Sequence, residues 1–213
     1  MNLNLKNYTP IFLIIIIPLT TVIGPSISLV NTVLICLVLI FLLVKDKNFS
    51  FIGSREFLLL ILIYGYLIFN SFISLDPKLG VLRNFGFLRL ILFFLAINYF
   101  VYKYGSLNNT FKIWSFLISL IIIDSFVEFS FGKNILGFGG EYGNRIVSFF
   151  KDEPIVAGYL NGFFFLILGY LFNINSKNNK IYTVYIILSL IFLICISLTG
   201  ERSNTIKAII GLS

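Results

Sequence analysis

Long runs of apolar residues, free or nearly free of charge, alternate with short polar segments along most of the chain. A helix needs about 20 apolar residues to cross a bilayer core roughly 30 Å thick. Runs close to this length cover residues 8–23, 27–44, 57–75, 84–102, 113–131, 154–176 and 181–200, and residues 206–213 form the start of another. They predict an all-α fold, a polytopic transmembrane helix bundle with about seven complete spans and a truncated eighth. Because the connections are short and no repeat is evident, residues 1–213 are predicted to form a single transmembrane domain.

The first two runs leave two arrangements open. Gly24, Pro25 and Ser26 divide a stretch that carries no charge from Asn7 to Val44. At about 1.5 Å per residue, each half is barely long enough for a crossing. The segment therefore forms either two short spans or a re-entrant hairpin that enters and leaves the membrane on the same side.

Composition narrows the class of protein further. Of the 213 residues, 58% are hydrophobic and 12% are charged, and the mean hydropathy is +0.99. Soluble domains have ~45–50% apolar and ~25% charged residues, so a soluble globular protein is excluded, as is a disordered chain. The sequence contains no histidine, and it therefore supplies neither a Ser-His-Asp triad nor an HExxH metal helix.

The net charge of +7 does not indicate a nucleic-acid partner, because the basic residues lie between apolar runs and form no continuous patch. In membrane proteins lysine and arginine favour cytoplasmic loops. Lys6 before the first run, with Lys45, Lys47 and Arg55 after the second, places the N-terminus in the cytoplasm.

The arginines are distributed differently from the lysines. Counted over the chain, the two sides of the membrane tie at eight basic residues each, yet four of the five arginines lie on the predicted outer side. Arginine presents a rigid fork of donors that matches phosphate and carboxylate oxygens. The sequence therefore suggests an anion site that faces outward.

Two acidic residues lie inside a predicted span. Asp124 and Glu128 are four residues apart and share one face of the fifth span, near its outer end. Acids at membrane depth are costly and normally face the bundle, often as part of a pair. Pairing with Arg89 or Arg83 of the preceding span is one interpretation, and a proton relay or contact with substrate is the other.

A polar segment that contains Arg145 leads into the sixth predicted span. Asp152 and Glu153 near the start of that helix complement the helix dipole, and Pro154 suits the first helical position. This structural account does not need Arg145, which makes Arg145 a candidate for anion binding.

A second polar segment, which contains Arg202, joins the seventh span to the start of the eighth on the predicted outer side. Gly200 is expected to end one helix, and Ser203 or Thr205 to cap the next. Glu201 either pairs with a neighbouring arginine or contacts a substrate.

Three stretches of the chain resemble motifs of the O-antigen ligase and O-antigen polymerase superfamily, the polytopic enzymes of bacterial surface-polysaccharide assembly. In order they are Asp124 with Glu128 and the Gly-x-x-x-x-Gly segment of residues 132–137, then Arg145 with residues 148–153 and 158–160, then residues 198–203. The resemblance covers about residues 57–213.

This resemblance implies a membrane glycosyltransferase of lipopolysaccharide biosynthesis that acts at the periplasmic face of the bacterial inner membrane. The donor is a glycan on undecaprenyl pyrophosphate, and the acceptor is lipid A core in a ligase or another lipid-linked glycan in a polymerase. No cofactor and no metal are implied. The resemblance assigns the donor diphosphate to Arg145 and Arg202, and it assigns contact with substrate or a structural role to Arg89, Asp124, Glu128, Asp152, Glu153 and Glu201.

The chain departs from the superfamily in two ways. Family members are longer and carry a histidine implicated in catalysis on a large outer loop, so no catalytic residue is assigned here. Glu128 stands where the family usually has glutamine. The chain is expected to be the N-terminal part of a longer enzyme and to be inactive alone.

Two functions of other classes stay open. A lipid-glycan or anion transporter would use the same arginines for binding without chemistry. Many transporters have paired broken helices in two related halves, which this sequence lacks. A non-catalytic membrane assembly subunit is the other alternative.

Overall fold

Helices make up the regular structure in the part of the chain that the computed structural model describes, which is residues 9–47, 54–104, 107–140, 145–151, 153–175 and 179–212. In chain order they are α1 (Thr9–Ile15), α2 (Ile17–Ile23), α3 (Pro25–Asp46), α4 (Arg55–Ile73), α5 (Pro77–Tyr104), α6 (Leu107–Phe131), α7 (Val156–Asn175), α8 (Asn179–Leu198) and α9 (Arg202–Leu212). A 3₁₀ turn, Ser148–Phe150, precedes α7. The expected all-α class is confirmed.

Four helices, α3 to α6, are long and apolar enough to cross a membrane. They match the second to fifth predicted runs, with ends that differ by up to seven residues because the helices continue into flanking polar residues. Most side chains of α4 are exposed, and Ser71 is its buried residue. Such apolar, outward-facing helices suit a lipid bilayer.

The first predicted run does not form a single helix. Residues 8–23 contain two seven-residue helices, α1 and α2, separated at Ile16. Pro18 causes this break, because its ring has no N–H to donate and clashes with the carbonyl four residues earlier. Each helix is only about 10 Å long, so neither alone crosses a bilayer core of about 30 Å.

Two side chains bind backbone carbonyls near this break. The indole N–H of Trp114 donates to the Ile15 carbonyl at 3.1 Å. The hydroxyl of Tyr159 donates to the Pro18 carbonyl at 3.2 Å. Polar contacts therefore hold the end of α1 to α6 and hold α2 to α7.

The chain divides into two compact units, each described separately below. The first consists of Met1–Ile14 and Ser26–Ser106, and the second of Ile15–Pro25 and Leu107–Ser213. The single domain expected from the sequence is thus composed of two clusters of helices.

In the first unit, α4 and α5 form a helical hairpin. The side-chain amide of Asn84 donates to the Leu67 carbonyl at 2.9 Å and to the Ser71 hydroxyl at 2.6 Å, which ties the two helices together. In the turn between them, the Asp76 carboxylate accepts a hydrogen bond from the Leu79 N–H at 3.1 Å and caps α5.

The opposite end of α5 is joined to α3 by polar side chains. Tyr99 and Lys103 both donate to the carboxylate of Asp46, and Lys103 forms an ion pair with it. Aromatic and basic side chains at a helix end are typical of the boundary between membrane and water.

In the second unit, α7 packs against α6, α8 and α9. Phe192 of α8 is fully buried, and its ring stacks on that of Phe164 with 3.7 Å between centroids. Phe165 meets Phe192 edge-on at 5.8 Å, and Phe163 meets Trp114 edge-on at 5.2 Å. The aromatic side chains of α7 thus form the core of this unit.

Two helix starts differ from those expected. α7 begins at Val156, so Pro154 lies before the helix and not at its first position. α9 begins at Arg202, so Ser203 and Thr205 lie inside that helix and do not cap it. Gly200 has φ of +75° just after α8, where the sequence places a helix end.

Candidate functional site

Asp124 and Glu128 lie one turn apart on α6 and are almost fully buried, with 0% and 4% of their surfaces exposed. Neither forms an ion pair with any residue that the structure describes. Instead of the expected partners Arg89 and Arg83, both carboxylates bind groups of the loop of residues 132–151, which joins α6 to α7.

The carboxylate of Glu128 accepts hydrogen bonds from two successive backbone N–H groups. Oε1 accepts from Val147 at 3.0 Å, and Oε2 accepts from Ser148 at 2.6 Å. Hydrogen bonds to an ionised acceptor are roughly twice as strong as neutral ones. These two amides therefore stabilise a buried acid that has no cation beside it.

Asp124 binds both ends of the same loop. Its Oδ1 accepts a hydrogen bond from the Ile135 N–H at 2.9 Å, near the loop's start. Its Oδ2 accepts from the hydroxyl of Ser148 at 2.6 Å, near the loop's end. The two ends of the loop are thus fixed to one turn of α6.

Asn134 completes the set of buried polar side chains. Its side-chain amide donates to the Ser148 carbonyl at 2.5 Å, and its oxygen accepts from the N–H groups of Leu136 and Phe138 at 3.0 and 2.7 Å. We call Asp124, Glu128, Asn134 and Ser148 the anchor cluster.

The backbone of Ser148 is held in an unusual conformation by this cluster. Its φ is +47°, in the left-handed region that non-glycine residues rarely adopt. The N–H, the hydroxyl and the carbonyl of Ser148 bind Glu128, Asp124 and Asn134, respectively. These bonds compensate for a strained backbone, which costs about 1–3 kcal/mol.

One glycine is required beside the cluster. Gly139 has φ of +117°, and a Cβ added to it would lie 2.7 Å from Oε1 of Glu128. Any side chain at residue 139 would therefore displace the carboxylate that holds the loop.

Arg145 and Lys151 flank the anchored part of the loop. Arg145 is exposed and lies two residues before Val147, whose N–H binds Glu128. Lys151 is exposed, and its φ of +56° ends the 3₁₀ turn. Both cations are therefore carried by a backbone that buried hydrogen bonds hold in place.

Arg202 is exposed at the first position of α9, next to Glu201. One oxygen of Glu201 accepts a hydrogen bond from the N–H of Ala157, in the first turn of α7, at 3.0 Å. The other accepts from the Asn204 side chain at 2.5 Å. Glu201 therefore joins the starts of α7 and α9 and has a structural role here.

Arg145 precedes the loop segment that ends at Phe150, whose ring meets Tyr159 of α7. Arg202 follows Glu201, which binds the first turn of α7. Among the other predicted residues, Glu153 is exposed before α7, and Asp152 lies outside the described residues. Arg89 is exposed and belongs to the first unit.

An apolar cavity of about 450 Å³ lies beneath the loop. Leu136, Phe138 and Phe149 of the loop face Pro18 of α2 across it, and Lys151 is the charged residue in its wall. An apolar cavity with one cation at its edge suits a molecule with an acyl or prenyl chain and an anionic end.

Within the described ranges, no group of three or more cysteine, aspartate or glutamate side chains is placed to hold a metal ion. The carboxylates of the anchor cluster already accept hydrogen bonds from the loop.

Sequence reasoning did not single out Asn134 or Ser148 as site residues. Asn134 lies between Gly132 and Gly137, which have φ of +75° and +87°, and asparagine between glycines is typical of a tight turn. That signal was available for Asn134. Ser148 has no comparable signal, because its left-handed φ arises from partners distant in sequence.

Comparison with protein-family models, with curated proteins and with solved structures finds no match to this chain. In the residues that the structure describes, the chain is all-α and contains four helices long and apolar enough to cross a membrane. Its resemblance to the O-antigen ligase and polymerase superfamily rests on the three motif stretches alone.

Replacing Glu201 with alanine is expected to destabilise the second unit by about 1–3 kcal/mol, because the Ala157 N–H and the Asn204 side chain each lose an acceptor. The thermal unfolding of the purified protein in detergent measures this. Glu153→Ala is the matched control, since Glu153 is exposed near the same helix start. Equal unfolding temperatures for both variants would contradict the structural role of Glu201.

Proposed function

We propose that this chain belongs to a membrane glycosyltransferase of bacterial surface-polysaccharide assembly, of the O-antigen ligase or polymerase type. It transfers glycan from an undecaprenyl-pyrophosphate-linked donor to lipid A core or to another lipid-linked glycan. It lies in the inner membrane with its N-terminus in the cytoplasm, and the site faces the periplasm.

The observation that carries this proposal is the placement of Arg145 and Arg202. Both side chains are exposed. Arg145 lies two residues before Val147, whose N–H binds Glu128, and Arg202 directly follows Glu201, which binds the first turn of α7. Neither has an acidic partner in the part of the chain that the structure describes. Two guanidinium groups on fixed backbone, free of counter-ions, suit the oxygens of a diphosphate.

Arginines placed in this way can stabilise the leaving group of the glycan transfer. The acceptor hydroxyl oxygen attacks the anomeric carbon, the bond from that carbon to the diphosphate oxygen breaks, and the electron pair stays on the lipid diphosphate. Arg145 and Arg202 stabilise the charge that develops there. The proton of the hydroxyl passes to water, because the chain has no histidine and we assign no base among its residues.

We further propose that α7 and α8, with 20 residues each, also cross the membrane. Together with α3 to α6 and a broken crossing by α1 and α2, they give seven spans. α9 then begins the eighth. The Pro18 break within the first crossing is supported by the polar contacts of Trp114 and Tyr159, which satisfy backbone groups that lipid cannot.

Substitution of the arginines in the cell that carries this gene tests the proposal. Arg145→Ala and Arg202→Ala are each expected to lower the amount of surface glycan by about ten- to hundredfold, since a charge-assisted contact contributes about 1.5–3 kcal/mol. The measurement is glycan per cell on a gel, with the protein level determined by immunoblotting.

The matched controls are Lys133→Ala on the same loop and Lys207→Ala on α9, both exposed cations outside the two fixed segments. They are expected to leave the glycan unchanged. Normal glycan in the arginine variants at normal protein level would contradict the proposal and favour an assembly subunit. Accumulation of the lipid-linked donor on the cytoplasmic side would contradict it in favour of a transporter.

A further inference from the structure

A groove of about 520 Å³ lies between α4 and α5, in the first unit. Its walls contain the polar residues Asn70, Ser71 and Asn84 and two arginines, Arg83 and Arg89. The proposed glycan transfer assigns the donor diphosphate to Arg145 and Arg202 and gives Arg83 and Arg89 no role. Two arginines in the wall of one groove on a membrane hairpin call for an explanation, because charge at membrane depth is costly and usually functional.

The sequence forms this groove through two segments of α5 with the pattern Gly-x-Leu-Arg. Gly80-Val81-Leu82-Arg83 is followed after two residues by Gly86-Phe87-Leu88-Arg89. At 3.6 residues per turn, Arg83 and Arg89 lie about 120° apart around the helix and about 9 Å apart along it. Both arginines contribute to the wall of the groove.

The two glycines have different roles. A Cβ on Gly80 would lie 3.0 Å from the Ser74 hydroxyl, so Gly80 permits the close approach of α4. A Cβ on Gly86 would meet no atom within 4 Å, so the space in front of Gly86 is open. Gly86 lies between Arg83 and Arg89 in the sequence, so no side chain of residue 86 occupies the wall of the groove.

The polar groups around the arginines are already engaged with one another. Asn84 binds the Leu67 carbonyl and the Ser71 hydroxyl, and the Asp76 carboxylate caps α5 through the Leu79 N–H. Arg83 and Arg89 are both exposed, and neither has an acidic partner among the described residues. The groove therefore holds two positive charges that no described residue of this unit neutralises.

The length of α5 indicates the depth of the groove in the membrane. α5 has 28 residues and is about 42 Å long, which exceeds the hydrocarbon core by about 12 Å. With Tyr102 and Lys103 at one boundary, a core of about 20 residues ends near Arg83 at the other. Arg89 lies about 9 Å deeper, from where its long side chain can extend back towards the headgroups.

We propose that this groove binds a phosphate-bearing anion at the membrane boundary, with Arg83 and Arg89 on the phosphate oxygens and Asn70 beside them. The anion is either the headgroup of an anionic phospholipid or a free phosphate compound. The binding is independent of the diphosphate assigned to Arg145 and Arg202, which lie in the other unit.

Native mass spectrometry of the purified chain in detergent tests the proposal. The protein is equilibrated with equal amounts of phosphatidylglycerol and phosphatidylcholine, and retained lipid is counted. The wild-type protein is expected to retain the anionic lipid about tenfold over the zwitterionic one, and Arg83→Gln with Arg89→Gln is expected to abolish this preference. Lys78→Gln is the matched control, because Lys78 is an exposed cation on α5 outside the groove.

A second variant tests the groove without changing charge. Gly86→Leu fills the open space in front of residue 86, keeps both arginines and is expected to lose the anionic lipid. It also provides the test if the double arginine variant does not fold. Preference for phosphatidylglycerol that persists in either variant, or that falls as much in Lys78→Gln, would overturn the proposal.

Inorganic pyrophosphate distinguishes the two sources of the anion. If it binds the lipid-free protein and displaces phosphatidylglycerol, the groove recognises the phosphate group itself. If it does neither while the lipid is retained, the groove recognises a lipid headgroup. Absence of binding by both compounds would contradict the proposal.

Discussion

Replacing Glu128 with alanine is expected to destabilise the second unit by about 2–4 kcal/mol and to release the end of the loop that precedes α7. The carboxylate accepts hydrogen bonds from the N–H groups of Val147 and Ser148, and both donors are buried. Without an acceptor, each buried N–H pays the full cost of lost hydration. Thermal unfolding in detergent measures the loss of stability.

Limited proteolysis with trypsin measures the release of the loop. Arg145 and Lys151 are the cleavage sites on either side of the anchored residues. Cleavage after Arg145 is expected to be at least about tenfold faster in Glu128→Ala, because opening of the loop then costs over 1.4 kcal/mol less. Glu153→Ala, which removes an exposed carboxylate nearby, is expected to leave the rate unchanged.

Glu128→Gln separates the charge of the residue from its shape. A glutamine has one acceptor oxygen, and its amino group would face the N–H of Val147 or Ser148, donor against donor. The loss of stability in Glu128→Gln is expected to be about half that in Glu128→Ala. Wild-type cleavage of both variants would show that the hydrogen bonds of Glu128 do not hold the loop.

Phe192→Ala is expected to destabilise the second unit by about 3–5 kcal/mol, at least as much as Glu128→Ala, because it leaves a cavity in the aromatic core of this unit. Phe192 is fully buried between Phe164, whose ring stacks on it at 3.7 Å, and Phe165, which meets it edge-on. The measurement is the unfolding temperature in detergent.

The control for this variant is Phe116→Ala, which removes the same side chain from α6 where it is 64% exposed. We expect it to retain nearly the wild-type unfolding temperature. If both variants lost stability equally, the effect would come from contact with detergent and not from the packing of α7 against α8.

The helices α3 to α8 were predictable from the sequence, because apolar runs of this length are typical of helices that cross a membrane. The break at Ile16 was signalled by Pro18 but was not predicted, since a charge-free run was taken as one span. Its consequences, the contacts of Trp114 and Tyr159 with nearby carbonyls, depend on tertiary packing and have no local signal.

The candidate site was predictable only in part. The spacing of Asp124 and Glu128 placed them on one face of a helix. An arginine was the expected partner, because charged side chains can be identified directly from the sequence. Their actual partners include the backbone N–H groups of Ile135, Val147 and Ser148. Every residue except proline has such a group, so the sequence does not mark which ones are used.

α6 is synthesised before the groups that bind its acids. Ser148 follows Glu128 by 20 residues, a delay of roughly one to four seconds at about 5–20 residues per second. During that interval the Glu128 carboxyl group lacks its amide partners, and an acid in a membrane helix costs up to about 3.5 kcal/mol on insertion scales. The hydrogen bonds that satisfy this buried acid therefore come from a segment that is translated only after α6 is complete.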